Sequence, residues 1–288
     1  MGKRAVFVKN KYYTDSGMEY VYKRLAEEFR SRGITLELSG NIYASYPQKT
    51  LSYDFGVYWD KDVALAERLE YGGLRLFNSA RTVELCDDKR KTFEALCGKI
   101  ELVQTVCAPL VYDVSSGDDG QFLDFVQNAV GYPAVVKENS GSQGRQVYLA
   151  NNRSELEKLH AELMRKPHLI QRFVRGERAG SDIRVYVVGR RAVAAVERLN
   201  TTDFRSNVFM GGEMRIAELT PQLKQIAEIA ANALNLEYGS ADFICEDGKP
   251  VFIEANGSVY MQSAERLGIK LAPAFVDYIA EAVYGNCR

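Results

Sequence analysis

Three oxygen-bearing side chains stand close together near the C-terminus, in the segments ADFIC (241–245) and VFIEAN (251–256). Side chains alternate between the faces of a strand, so Glu254 and Asn256 point the same way. Asp242 joins them if the connection between the two strands has an odd length. A three-residue turn, Glu246-Asp247-Gly248, supplies that parity, with Gly248 in the left-handed position. Asp242 is then expected opposite Phe252 and diagonal to Glu254. Two carboxylates and an amide oxygen at one end of a hairpin are hard ligands that suit Mg2+, with Mn2+ as a substitute, above all where phosphate oxygens complete the shell. The competing reading is a solvated polar face, which the apolar neighbours weaken.

A second constellation lies in PAVVKENSGSQGRQVYL (133–149). Lys137 ends an apolar strand and adds a point charge. Residues 139–145, with Ser142, Gln143 and Gly144 among them, offer glycines and free backbone N–H groups able to wrap phosphate oxygens. An ordinary hairpin loop is the alternative. Neither GxxxxGK[ST] nor a GxGxxG after the first strand occurs, which argues against a P-loop and a dinucleotide fold. In SDIRVYVV (181–188), Asp182 and Arg184 share a face, and DFRSN (203–207) adds Arg205 and Asn207. Guanidinium forks suit phosphate or carboxylate. The alternative is a surface pair between Asp182 and Arg184, worth roughly 0–1 kcal/mol. LIQRFV (169–174) is a strand that could present backbone groups to an adenine edge, although taken alone a plain β-strand is the better reading. Tyr12, Tyr13, Tyr43, Trp59 and Tyr260 are aromatic candidates for a substrate pocket, with core filling as the alternative.

These residues need positioning elements. Strands are expected at 4–8, 35–38, 53–59 and 74–77, with helices at 17–32 and 62–71 ending at Gly33 and at Gly72-Gly73. That is a small open α/β sheet over residues 1–85. A helix at 82–96 opens a second unit. Helices follow at 121–130 and 154–164, and strands at 134–137, 146–150 and 168–174. From 182 the pattern turns to hairpins, 182–188 with 192–199 and 240–245 with 251–256. A loop at 200–213 and helices at 221–234 and 273–284 complete the chain.

The 288 residues carry 37 Lys+Arg against 38 Asp+Glu and are 46% hydrophobic. These values exclude wholesale disorder, and the balanced charge disfavours a nucleic-acid binder. No apolar run approaches the roughly 20 residues of a membrane helix, and MGKRAVFVKNKYY turns polar too early for a signal peptide. Five cysteines without CxxC and two histidines give no zinc pattern. A reducing cytoplasm, with no membrane and no nucleic-acid partner, is the expected setting.

Taken together, the blocks GSDIRVYVVGRRAVAAVER, TTDFRSNVFMGG and GSADFICEDGKPVFIEANGS resemble the RimK-like branch of the ATP-grasp carboxylate–amine ligases over residues 82–283. The resemblance implies an α/β (α+β) ATP-grasp fold at 86–288, with lobes 86–175 and 176–288, behind a pre-ATP-grasp lobe at 1–85. It implies that Lys89 and Lys137 contact ATP, that Gln171, Phe173 and Val174 surround adenine, and that Asp182 lies near the ribose. Arg184, Arg205 and Asn207 would surround the γ-phosphate and the reacting carboxylate. Asp242, Glu254 and Asn256 would be the Mg2+ ligands. The implied reaction is ATP-dependent amide formation through an acyl phosphate. Its substrates would be small-molecule or peptide carboxylates and amines, with a protein acceptor and a homo-oligomer within the family's range. Rival readings are a carboxylate activator with another nucleophile and a non-catalytic nucleotide-binding protein. The chain departs from the branch at Gln171-Arg172, where Gln-Glu is usual, at Phe209-Met210-Gly211-Gly212 and at residues 257–261. These changes fall mainly on the acceptor side.

Overall fold

The computed structural model describes residues 2–13, 15–44, 52–113, 119–141, 144–200 and 213–285. The chain opens with β1 (Lys3–Lys9), whose centre Ala5–Val8 is wholly buried. A continuous apolar run of this kind marks a parallel strand covered on both faces. Helix α1 (Ser16–Ser31) starts where the Asp15 carboxylate accepts from the Met18 N–H at 2.8 Å, and it buries Val21, Leu25 and Phe29 at four-residue spacing. Then come β2 (Ile34–Gly40), the short α2 (Asn41–Ala44), β3 (Phe55–Trp59), α3 (Val63–Tyr71) and β4 (Leu76–Phe77). The sheet order is β2-β1-β3-β4, with every pair parallel. The chain therefore leaves β1 on one side for β2 and returns on the other for β3.

The helix expected over 82–96 is two helices, α4 (Ala80–Asp87) and α5 (Lys89–Leu96). Asp88 takes an extended backbone between them, and its carboxylate accepts from the N–H groups of Arg90 and Lys91. A capping aspartate inside an amphipathic pattern restarts the helix there.

The central sheet contains β5 (Thr105–Cys107), β6 (Ala134–Glu138), β7 (Val147–Ala150) and β8 (His168–Arg172) in the order β5-β8-β6-β7, all antiparallel. Helices α6 (Gly120–Val130) and α7 (Arg153–Leu163) cover it, and Val106, Leu123, Val126, Val136, Leu156 and Ile170 form a core of their own.

The last sheet, in the order β11-β10-β9-β12-β13, is antiparallel throughout. Its strands are β9 (Ser181–Val188), β10 (Arg191–Leu199), β11 (Glu213–Ala217), β12 (Tyr238–Glu246) and β13 (Lys249–Asn256). Strand β11 begins where a loop was expected to end. Helix α8 (Pro221–Ala233) packs on one face, and α9 (Gln262–Arg266) and α10 (Leu271–Tyr284) follow β13.

The β12–β13 connection differs from expectation. Glu246 pairs with Lys249, so the turn is the two-residue Asp247-Gly248, both with positive φ. That even length alone would send Glu254 to the face opposite Asp242. A bulge at Ile253 restores the parity, because Phe243 pairs with Phe252 while Asp242 pairs with Glu254. A second bulge, between Ala192 and Ala194, does the same on β10 and sets Arg198 opposite Asp182.

The first and last sheets share one core. Phe7, Leu25, Phe55 and Trp59 pack in a single cluster with Tyr238, Met261, Phe275 and Ile279. Asn78, buried just after β4, ties the same two parts with its side-chain amide. Its Nδ2 donates to the carbonyls of Tyr238 (2.7 Å) and Gly257 (2.6 Å), and its Oδ1 accepts from the N–H groups of Glu237 and Tyr238.

Candidate functional site

A cavity of about 500 Å³ opens between the central sheet and the last one. Lys89, Lys137, Gly144, Gln171, Phe173, Val174, Asp182, Glu254 and Asn256 all lie on its wall. Nine residues named from sequence thus converge from five separate segments. Arg184 and Asp242 stand behind the wall. Ser142, Gln143, Arg205 and Asn207 lie outside the described residues.

Strand β6 explains Lys137. Ala134 and Val136 face the central core, so Val135 and Lys137 face the cavity. Lys137 is only 8% exposed, and among the described residues its ammonium has no hydrogen-bond or ion-pair partner. Burial pushes its pKa down, and nearby Lys89 adds to that against the pull of Glu254, leaving it at about 8. Lys89 begins α5. Its N–H donates to the Asn139 carbonyl at 2.9 Å and its Nζ to that of Gly141 at 3.4 Å, which ties α5 to the Gly/Ser-rich loop. Gly141 has a φ of 151°, which L side chains rarely adopt, and a Cβ there would fall 2.5 Å from Gln146 Oε1 and displace that side chain. On β8 the Gln171 amide donates to Thr105 Oγ1 at 2.9 Å. Arg172 turns toward the last sheet, where its two Nη atoms donate to the Glu246 carboxylate at 3.1 and 2.7 Å.

A buried network of four charges runs from Asp182 and Arg198, which line the wall, to Arg184 and Asp242 behind it. Arg184 donates to Asp242 through Nε at 2.8 Å and Nη2 at 2.6 Å. Arg198 donates to both Asp182 oxygens, through Nε at 2.7 Å and through Nη2, and the same Nη2 reaches Asp242 Oδ2 at 2.9 Å. Asp182 and Arg184 are therefore not each other's partners. Burial raises the Asp242 pKa, but Arg184 and Arg198 outweigh it and hold the group at about 2. Ser240 Oγ also donates to Asp242 at 3.2 Å. The Asn256 Nδ2 lies 3.4 Å from Asp242 Oδ2 and 3.2 Å from Glu254 Oε1, so the amide links the two carboxylates. Glu254 makes no ion pair among the described residues.

Arg198 is the residue that sequence reasoning missed. Its only signal was its place in the β9–β10 hairpin, and an unbulged pairing would put Glu197 opposite Asp182 instead. Trp59 fills the core between Phe7 and Tyr238, and Tyr260 packs over Gly17 while donating to Asp15 at 2.8 Å.

The donor set suits Mg2+ in part. Glu254 and Asn256 bring hard oxygens to the cavity, where phosphate oxygens of a nucleotide would complete the shell. The oxygens of Asp242 are occupied by two guanidiniums, so a cation there competes with Arg184 and Arg198. Among the described residues no group of three or more His, Cys, Asp or Glu is placed to hold a metal on its own. No helix among them is long and apolar enough to cross a membrane.

The fold is shared with known proteins. Solved structures of similar fold include D-cycloserine synthetase, with a TM-score of 0.77 at 18% identity over 97% of this chain and 99% of that one. They also include D-alanine–D-alanine ligase from Bacillus anthracis, with a TM-score of 0.72 at 17% identity over 97% of this chain and 96% of that one. β-Citrylglutamate synthase B of Danio rerio is 30% identical over 253 residues, which make up 85% of this chain and 60% of that protein. The chain thus spans less than two thirds of that relative's length. A probable α-L-glutamate ligase of Coxiella burnetii is 32% identical over 221 residues, 75% of this chain and 70% of that protein. Residues 87–279 match the family described as the RimK-like ATP-grasp domain, and the chain belongs to that family.

Proposed function

We propose that the protein is an ATP- and Mg2+-dependent carboxylate–amine ligase that releases ADP and phosphate. The observation that carries this reading is Lys137. A buried ammonium with no partner among the described residues, on the wall of a cavity that also holds Glu254 and Asn256, calls for an anionic ligand. A nucleotide triphosphate meets that need, and the backbone of β8 with Phe173 and Val174 offers an edge and apolar surface for its base. The relatives named as glutamate ligase and synthase point to amide formation. The division at about residue 85 into an N-terminal lobe and an ATP-grasp unit belongs to the same reading.

In the reaction so inferred, a substrate carboxylate oxygen attacks the γ-phosphorus and the bond to the β,γ-bridging oxygen breaks, giving an acyl phosphate and ADP. An amine then attacks the acyl carbon, phosphate leaves with the carbon–oxygen bonding pair, and the amine loses a proton. Such transfer depends on positioning and charge neutralisation. Lys137 and Lys89 bind phosphate oxygens. Arg184, held by Asp242, and Arg205 supply guanidinium donors for charge growing on the transferred group. A Mg2+ held by Glu254 and Asn256, with Asp242 beside them, supplies further neutralisation of phosphate charge.

Mass spectrometry of a mixture of ATP, Mg2+, pooled amino acids and short peptides tests this, with ADP and phosphate followed in parallel. An ATP-dependent condensation product that Glu254→Gln does not make is the expected result. Nucleotide binding with no ADP formed across the pool would support the non-catalytic alternative.

A further inference from the structure

Every residue from Gln171 to Asp182 lines the cavity between the central and last sheets. Residues 173–180 of that run form no helix or strand, so ladder hydrogen bonds do not place them. The tip of the β12–β13 hairpin does. Arg172, at the end of β8, donates from both Nη atoms to the Glu246 carboxylate, and its Nη1 also lies 3.4 Å from the Phe173 carbonyl. The Arg175 N–H donates to Glu246 Oε1 at 2.8 Å. Two residues on, the Glu177 N–H donates to the Cys245 carbonyl at 2.9 Å, and the Glu177 carboxylate accepts from the Gly248 N–H at 2.8 Å. The contact is close as well as polar, since a Cβ on Gly176 would lie 3.0 Å from Ile244 Cγ2.

Glu246 therefore grips this span at two points, Arg172 and Arg175, from the opposite sheet. Between the two grips lie Phe173 and Val174, the residues that meet the base in the ligase reading. Ile244 shares a face of β12 with Glu246 and lines the cavity, whereas Glu246 stands off its wall. A bidentate guanidinium–carboxylate pair fixes direction as well as distance. Both side chains are partly exposed, so the pair adds little to stability, and its consequence is geometric. It also depends on an arginine at 172, where the branch usually has glutamate.

We propose that Arg172 and Glu246 are positioning residues for the nucleobase, a clasp that holds the backbone of Phe173 and Val174 in register with adenine. This deepens the ligase reading and rests on its nucleotide site. Adenine presents an amino donor beside a ring-nitrogen acceptor, and guanine presents the reverse, a carbonyl oxygen beside a ring N–H. A backbone edge held at one setting fits the first and leaves polar groups unpaired with the second. The clasp acts on the base end of the cavity, while Lys89, Lys137 and Glu254 serve the phosphate end without it.

The test is equilibrium titration with non-hydrolysable ATP and GTP analogues in Mg2+. It compares the wild type with Arg172→Met, Glu246→Ala and the double variant, and unfolding midpoints are measured alongside. The wild type is expected to favour the ATP analogue at least tenfold. Each single variant should bind that analogue at least fivefold weaker and the GTP analogue within twofold of wild type, with little change in midpoint. The double variant should fall within twofold of the weaker single, because both substitutions remove one clasp. Should Glu246→Ala misfold, Glu246→Gln takes its place under the same criteria. No preference for the ATP analogue, wild-type affinity in the folded Glu246 variant, or equal weakening of both analogues would overturn the clasp. Losses that multiply in the double variant would do so too, since Arg172 would then act on the nucleotide by itself. Turnover is scored separately. The expected binding pattern with no ADP formed from any mixture of carboxylates and amines removes the ligase reading and leaves the clasp. A condensation product from the wild type, with ATP affinity intact in the Glu246 variant, does the reverse. A wild type that binds neither analogue overturns both.

Discussion

Arg184 and Asp242 join across the β9–β12 pair through two parallel hydrogen bonds of 2.8 and 2.6 Å, both side chains well shielded from water. Arg198 adds a third contact to the same carboxylate. Asp242 is thus the counter-charge for two buried guanidiniums, whatever else it does in the reaction.

The substitution Asp242→Asn should therefore cost stability as well as activity. Removing one partner of a buried ion pair typically costs about 3–5 kcal/mol. Glu254→Gln, at a carboxylate with no ion pair among the described residues, should abolish turnover with little change in the unfolding midpoint. Denaturant melts of the two variants check this, and equal midpoints would remove the structural role of Asp242.

Lys137 should show the opposite balance. Lys137→Met removes a buried charge that has no partner among the described residues, so stability should hold or rise. Its affinity for ATP should fall by at least tenfold, as expected for a lost charge-assisted contact of about 1.5–3 kcal/mol. Equilibrium nucleotide titration reads the effect, and unchanged affinity would take Lys137 out of the site.

Asn78 should matter far beyond its size. Asn78→Ala leaves two carbonyls and two N–H groups buried without their partner. At about 1–3 kcal/mol for each unsatisfied group, a loss of at least about 4 kcal/mol is expected. Because the Gly257 carbonyl is one of them, the turn after Asn256 should loosen and turnover should drop as well. Thermal melts and initial rates together test both parts, and a near-neutral variant would contradict them.

The buried histidines predict a pH dependence. His160 Nδ1 lies 3.0 Å from His168 Nε2, and His168 Nδ1 lies 2.8 Å from the Lys166 carbonyl. Burial pushes both pKa values below the ordinary value of about 6.5. In the window from that ordinary value down to the lowered ones, the unfolded chain binds protons that the folded chain refuses. Stability should be fully present above about pH 6.5 and fall as the pH drops through this window. The melting temperature of His160→Gln should fall less steeply between pH 7.5 and 5, and a slope equal to the wild type's would sink the assignment.

Much of the site was legible because its residues sit in short blocks with strong local signals. Lys137 follows an apolar strand, and the Asp242, Glu254 and Asn256 set alternates on a hairpin. What the sequence hid was parity. The bulge at Ile253 offsets a two-residue turn, so the right face was reached through the wrong connection. The bulge between Ala192 and Ala194 concealed Arg198 altogether. A bulge depends on the pairing of two strands and leaves no periodic mark in either. The break at Asp88 was hidden differently, since α4 and α5 continue one amphipathic pattern and only the capping geometry divides them.

The shared core of the first and last sheets decides which part of the molecule can be cut away. A fragment ending near residue 85 would bare Phe7, Phe55 and Trp59, whose neighbours Tyr238 and Phe275 come from the far end of the chain. The piece running from β5 to β8 has a core of its own, built from Val106, Leu123, Val126, Val136, Leu156 and Ile170. In a protease digest, that piece is the one to expect as a soluble, folded product, while the two ends survive only together.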